Sequence, residues 1–339
     1  MVAKIQDDPH RMPPQTERAQ AFAQAGRSCY RWVNTSQTGD AMELGGHEPN
    51  RDVQASGVEA IGPIQSLPAP WPRALQPDVD FEPLPSPGPD DWLALHQEEG
   101  QTVEAFVEAA PPRPDDMRQR IYLQPLGFFP VGESPPVDRL GQFIAAFFGM
   151  DVTVLPIIDW EEGTIRSRNH AETGRQVLSK DLLALLKSRR PADAFCLLGI
   201  TMDDLYPAVA GRTVFGDTSL DDGVGVYSFT RYQARHQGEA VGETERVIVE
   251  RSCKVLAHQV GHMFGMTHCV YYRCLMNGAA HTAESDRRPL HFCPVDLRKL
   301  AWARPFDPVE RYERLLEFCQ AERFEKEAAW FARRLERIG

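Results

Sequence analysis

The chain has 339 residues, of which 42% are hydrophobic and 25% charged, with a formal net charge of −11. That length holds one large domain with appendages, or two domains, and the acidic balance argues against nucleic-acid binding through a broad basic surface. The N-terminus lacks an apolar signal core and no run is long enough to span a bilayer, so a cytoplasmic or nuclear location without membrane association is expected.

Residues 1–117 stand apart. A polar, Gln-rich start leads into Leu67-Pro-Ala-Pro-Trp-Pro-Arg and then Glu82-Pro-Leu-Pro-Ser-Pro-Gly-Pro. Proline at this density removes amide donors and blocks helix, which predicts extended or irregular chain with short helices at 17–25 and 90–109. Regular patterning begins near 118. Strands are predicted at 121–126, 151–157, 194–201 and 223–232, and an amphipathic helix at 137–150 ends in glycine. Apolar residues at 178, 182, 183, 185 and 186 form a helical stripe over 175–190. Strand–helix alternation implies an α/β (or α+β) sheet with crossover helices. A long helix follows at 245–265, then helices at 294–303, 309–322 and 325–338. The division is 1–117, 118–322 and a terminal helix at 323–339.

The long helix carries His258-Gln-Val-Gly-His262-Met-Phe-Gly265-Met-Thr-His268. Residues four apart share a helix face, so His258 and His262 can address one ion. Gly265 lets the chain leave the helix through a left-handed conformation and bring His268 round as a third ligand. Three neutral imidazoles hold Zn²⁺ with a fourth position open, where zinc activates water and polarises a carbonyl. A lone histidine is most simply a surface or core residue, but three at this spacing with that glycine point to a catalytic-type zinc site. Seven cysteines are an odd count for a disulfide framework. Cys269, Cys274 and Cys293 crowd together just beyond the histidines, which in a reducing compartment reads as metal ligation.

The run HQVGHMFGMTHC followed by VYYRCLMNG resembles the archaemetzincins, metzincin-like zinc peptidases. Their pattern is HExxHxxGxxH, then Cys, four residues, Cys, one residue and Met, and later CxxC. It falls on His258, His262, Gly265, His268, Cys269, Cys274, Met276 and Cys293. Arg251-Ser-Cys-Lys, Asp286-Arg-Arg-Pro-Leu and 191–207 match as well, and the resemblance spans about 118–320. It implies a metzincin-like mixed sheet with an active-site helix, an apolar Met-turn at Met276, and peptide or protein substrates for what is expected to be a monomer. Cys269, Cys274 and the CxxC pair would bind a second, structural zinc.

Two positions depart from the pattern. Gln259 stands where the general-base glutamate belongs, and a neutral amide cannot shuttle a proton, a loss of about 10²–10⁴-fold in rate. The reading is a zinc metallopeptidase whose activity is in question, the alternative being a non-catalytic zinc protein that binds peptides or a protein partner. Glu284 and Asp286 are near in sequence as substitute bases. Asp296 stands where the last cysteine belongs. It completes a Cys₃Asp site, with His291 as the other candidate fourth ligand; the plainer reading is that Asp296 only caps the next helix and the second zinc is weak or absent. Of the rest, Tyr271, Tyr272 and Arg273 read as partly exposed loop, and Cys196 as a buried hydrophobe. Gly223 and Gly225 flank a strand that would form the upper rim of a cleft. Arg333, Arg334 and Arg337 read as a solvated helix face.

Overall fold

The computed structural model describes residues 52–159, 165–170, 174–207, 215–232 and 241–339, with side chains from 56 and, in the helix starting at 241, from 245. The helix expected at 17–25 and Cys29 lie outside the described residues.

The central sheet is built on β1 (Arg120–Leu126), which is buried from Ile121 on because its near-continuous apolar run is covered on both faces. β1 pairs in parallel with β2 (Val152–Val154) and with β5 (Ala194–Thr201). β5 pairs in parallel with β8 (Val224–Ser228), and β7 (Gly216–Ser219) closes that side antiparallel, giving the order β2-β1-β5-β8-β7. A smaller sheet joins β3 (Ser167–His170), β4 (Gly174–Leu178) and β6 (Asp204–Tyr206). The α/β expectation with a mixed sheet therefore holds.

Two predicted elements change. The helical stripe over 175–190 divides: 174–178 is strand β4, and helix α6 (Ser179–Arg189) starts after it. Pairing overrides the local pattern, since β4 is held between β3 and β6 and Gln176 donates from its buried amide to Asp204 Oδ2 at 2.7 Å. The strand expected at 223–232 stops at Ser228 and turns through a 3₁₀ segment, Thr230–Tyr232. That strand is also internal to the sheet. The edge that could form a cleft rim is β7, which lacks a strong apolar run and was not predicted.

Helix α5 (Val137–Phe148) buries Leu140, Phe143, Ile144 and Phe147 at helical spacing and ends at Gly149, whose φ of 62° suits glycine. It packs on the long helix α7 (Val241–Met263), where Phe148 stacks on Phe264 with ring centroids 5.5 Å apart. Helix α8 (Thr282–Asp286) is short. The predicted C-terminal helices are present as α9 (Pro294–Ala303), α10 (Pro308–Ala321) and α11 (Glu325–Ile338). Among the described residues no helix is long and apolar enough to cross a membrane.

The stretch from 52 to 117 is irregular in path but packed. It holds α1 (Asp52–Ile61), α2 (Trp71–Ala74), α3 (Trp92–Leu95) and α4 (Val103–Glu108), so the helix expected over 90–109 is two short ones. Ile61, Leu75, Phe81 and Phe106 are buried in the same core as Phe292 and Phe331. Prolines leave this segment few ladder donors, and side chains of α11 hold it instead. Arg334 is no part of a solvated face: it is 0% exposed, donates to Asp78 Oδ2 at 2.7 Å and to the Arg73 and Ala74 carbonyls, and lies over the Phe81 ring. Arg333 and Arg337 pair with Asp80, whose carbonyl also accepts from the Trp330 indole. Removing one side of a buried ion pair costs about 3–5 kcal/mol. Arg334→Ala is expected to lower unfolding stability by about that amount in denaturant titration and to open 71–81 to limited proteolysis. A loss below about 1 kcal/mol would show that the apolar contacts alone dock the segment.

Candidate metal centre

Helix α7 ends where it must for three histidines to converge. Gly265 takes φ +80°, and its amide and that of Met266 close the helix on the His262 and Gly261 carbonyls. A Cβ at Gly265 would also lie 2.7 Å from Pro111 Cβ. The turn carries His268 back to His258 and His262. The three are 3%, 1% and 2% exposed, with one ligand atom of each within 4.8 Å of the others.

Each ring is aimed through Nδ1. His258 Nδ1 lies 2.9 Å from Leu275 O, His262 Nδ1 2.7 Å from Met266 O, and His268 Nδ1 2.9 Å from Glu98 Oε1. Arg288 Nη1 is also 3.0 Å from His258 Nδ1, but it has Asn277 O to donate to, which leaves Leu275 O as the acceptor for Nδ1–H. Acceptors at Nδ1 put the ring proton there and leave Nε2 with its lone pair. The Nε2 atoms of His258 and His262 then face each other at 2.9 Å. Two lone pairs at that distance repel, and a cation between them removes the conflict. Burial, ahead of repulsion from neighbouring charges, keeps the two helical imidazoles neutral: His262 is pushed down to about 3 and His258 well below its ordinary value. Neutral imidazoles with converging Nε2 atoms fit a zinc ion with an open position. Gln259 is 3% exposed, and its amide oxygen is buried with no hydrogen-bond partner among the described residues.

Met276 is fully buried and rests on Gly261, where a Cβ would come within 2.4 Å of its sulfur. That contact accounts for a glycine between the two helical histidines, where glycine weakens a helix by about 1 kcal/mol relative to alanine.

The second cluster is Cys269, Cys274, Cys293 and Asp296, all buried, with ligand atoms within 4.8 Å. Cys269 Sγ is 3.6 Å from Cys293 Sγ, and Asp296 Oδ2 lies 3.1 Å from Cys274 Sγ. Asp296 Oδ1 accepts from Lys299 at 2.9 Å, so Oδ2 alone faces the sulfurs. Burial opposes charge on Cys269, yet hydrogen bonds from Cys274 and Cys293 hold it well below the ordinary thiol range. Burial pushes those two well above it. Burial also raises the Asp296 carboxyl to about 6. Three sulfurs and one carboxylate oxygen could hold a tetrahedral zinc. Asp296 lies in the first turn of α9 rather than at its N-cap, which is Cys293. His291 is elsewhere, stacked on Trp330 with centroids 3.6 Å apart. Asn277 braces the loop, accepting from Cys274 N and donating to the Cys269 and Tyr272 carbonyls.

Tyr271 and Tyr272 are buried rather than partly exposed, because the chain at 82–84 lies along them: Leu84 N donates to Tyr271 O and Arg273 N to Glu82 O. Asp286 forms a two-bond pair with Arg251, and Glu284 accepts from Trp92 N and Ala280 N. Asp91, His281 and Glu284 also come together, but Gly88 N and Arg287 already occupy the Asp91 oxygens and the Trp92 and Ala280 amides those of Glu284. The residues that motif reading missed are Trp92, Glu98 and Gln101. Glu98 meets His268 across 170 residues of sequence, so no local spacing marks it. Burial would raise its carboxyl, but hydrogen bonds from His268 and Trp92 outweigh that and hold it low.

Gly261→Ala is expected to lower stability by about 1–3 kcal/mol in thermal or chemical denaturation, because Met276 must be displaced from a packed site. An unchanged or raised midpoint would mean that Met276 moves aside freely and that helix propensity decides.

The family profile described as Peptidase family M54 matches residues 194–301. Archaemetzincin-2 of Macaca fascicularis is 36% identical over 284 residues, covering 74% of this chain and 78% of that protein, and human Archaemetzincin-2 is 35% identical over the same shares. A crystal structure of archaemetzincin from Methanopyrus kandleri is 25% identical and covers 56% of this chain and 97% of that one, with a TM-score of 0.43. With a relative more than a third identical across three quarters of its length, the chain belongs to the archaemetzincin family of zinc metallopeptidases.

Proposed function

We propose that this archaemetzincin holds zinc on His258, His262 and His268 and binds peptides there, while Gln259 leaves its hydrolytic step strongly impaired. The observation that carries the reading is three buried imidazoles, each tied at Nδ1, whose ligand atoms converge, while the residue after His258 is a buried amide. Bound at this site, zinc supplies Lewis acidity for attack of water on a peptide carbonyl. Gln259 can hydrogen-bond a neighbouring group but cannot accept a proton at neutral pH. The candidate carboxylates have other work: Glu98, the one that touches a site histidine among the described residues, meets His268 and Trp92, Glu284 accepts from the Trp92 and Ala280 amides, and Asp286 meets Arg251. Cys269, Cys274, Cys293 and Asp296 hold a second zinc that ties the loop after His268 to α9. The six described cysteines are all buried and unbridged, which suits a reducing cytoplasmic or nuclear setting.

Gln259→Glu is expected to raise cleavage of short peptides by about 10²–10⁴-fold over the parent chain in a zinc-dependent assay. No gain, with zinc still bound, would remove the missing base as the cause of impairment. Metal analysis of the parent is expected to give two zinc ions per chain, with one lost in His262→Ala and the other in Cys274→Ser. A single zinc in the parent that survives Cys274→Ser would refute the second site.

A further inference from the structure

The third histidine is anchored by a part of the chain that the family profile does not reach. His258 and His262 find backbone carbonyls at Nδ1, whereas His268 Nδ1 meets a carboxylate, Glu98, at 2.9 and 3.1 Å. Glu98 is itself fixed, since Trp92 Nε1 donates to it at 2.9 Å. The Trp92 ring stands edge-on to the His268 ring at 5.1 Å and lies against Gly278, where a Cβ would come within 2.3 Å of Cδ1. Its backbone amide is taken by Glu284. Gln101 clamps the turn that presents His268, donating to Gly265 O and accepting from Thr267 N, both at 3.3 Å. Residues 91–101 thus hold the ring, its hydrogen-bond acceptor and the turn behind it.

We propose that Glu98 is a positioning residue of the metal centre: it fixes His268 with its proton on Nδ1 and Nε2 facing the ion, and so makes residues 91–101 part of the zinc site. The proposal rests on the zinc reading above. A carboxylate behind a ligating imidazole orients the ring and strengthens it as a donor, and removing such an outer partner typically lowers metal affinity about 10–100-fold. Coupling of this kind is reciprocal, so zinc on the histidines tightens the docking of 91–101 by the same factor.

The test uses the full chain, with zinc affinity measured by chelator competition and amide hydrogen exchange followed at 91–101 with and without zinc. His258→Ala defines the contribution of the histidine site. Glu98→Ala is expected to weaken that site about 10–100-fold. Glu98→Gln, whose amide oxygen still accepts from Nδ1, is expected to retain more affinity than Glu98→Ala. Zinc is expected to slow exchange at 91–101 in the parent and not in His258→Ala. Thermal melts in excess chelator identify a variant that fails to fold, in which case the Glu98→Gln comparison decides. Parental zinc affinity in a folded Glu98→Ala, or exchange at 91–101 that zinc leaves unchanged in the parent, overturns the proposal. Zinc binding that His258→Ala does not alter instead refutes the histidine site, and this proposal falls with it.

Discussion

The structure depends on keeping three imidazoles buried and facing one point. Burial exposes each Nδ1–H to the cost of an unmade hydrogen bond. The chain meets that demand from three places: the Leu275 carbonyl in the loop before Met276, the Met266 carbonyl in the turn after α7, and the Glu98 carboxylate from the N-terminal region. Each acceptor has to be delivered by packing elsewhere. The Met276 loop is held by Asn277 and by the bond from Cys269 N to Met276 O, and the turn by the left-handed Gly265. The N-terminal segment is held by Trp92 and Gln101.

The same logic governs the charges in the core. Arg334 is fully buried because two carboxylates, two carbonyls and the face of Phe81 receive it, and this joins the first and last described parts of the chain. Arg311 is buried with its Nε donating to Phe147 O and its guanidinium 4.5 Å from the Phe147 ring, with Tyr312 and Phe306 at 5.6 and 5.7 Å. Aromatic faces of this kind attract a desolvated cation. Arg288 sits beside His258, where its charge helps keep that imidazole neutral after burial and His262. Membership of the family and catalytic competence are separate matters here. In the function proposed above, the convergence of the imidazoles does not depend on Gln259, whereas proton transfer is assigned to a carboxylate that this position lacks.

The fold was legible where one element's own pattern decides its state. The apolar spacing of α5, the unbroken run of β5 and the histidine spacing on α7 each follow from local periodicity. It was illegible where a neighbour decides. Residues 174–178 carry helical spacing yet are strand, because β3 and β6 flank them. The Gly-Asp-Thr-Ser strand β7 has no apolar signal and exists as the antiparallel mate of β8. Tyr271 and Tyr272 look like loop and are buried by chain that arrives from 82–84.

The sequence by itself determined that the candidate ligands meet, because i, i+4 and i+10 histidines around a glycine, and cysteines five residues apart, bring their ligand atoms together through one helix and one turn. It also determined that an amide follows His258, which no packing changes. Tertiary structure alone decided which of Asp296 and His291 joins the sulfurs, since one turn of α9 puts Asp296 among them while Trp330 takes His291. It decided as well that the proline-rich region is part of the core, and that Glu98 reaches His268. Those contacts join residues about 170 or more positions apart, as in Glu98 to His268 and Asp80 to Trp330, and such pairs leave no trace in local spacing because the geometry joining them comes from the packing between.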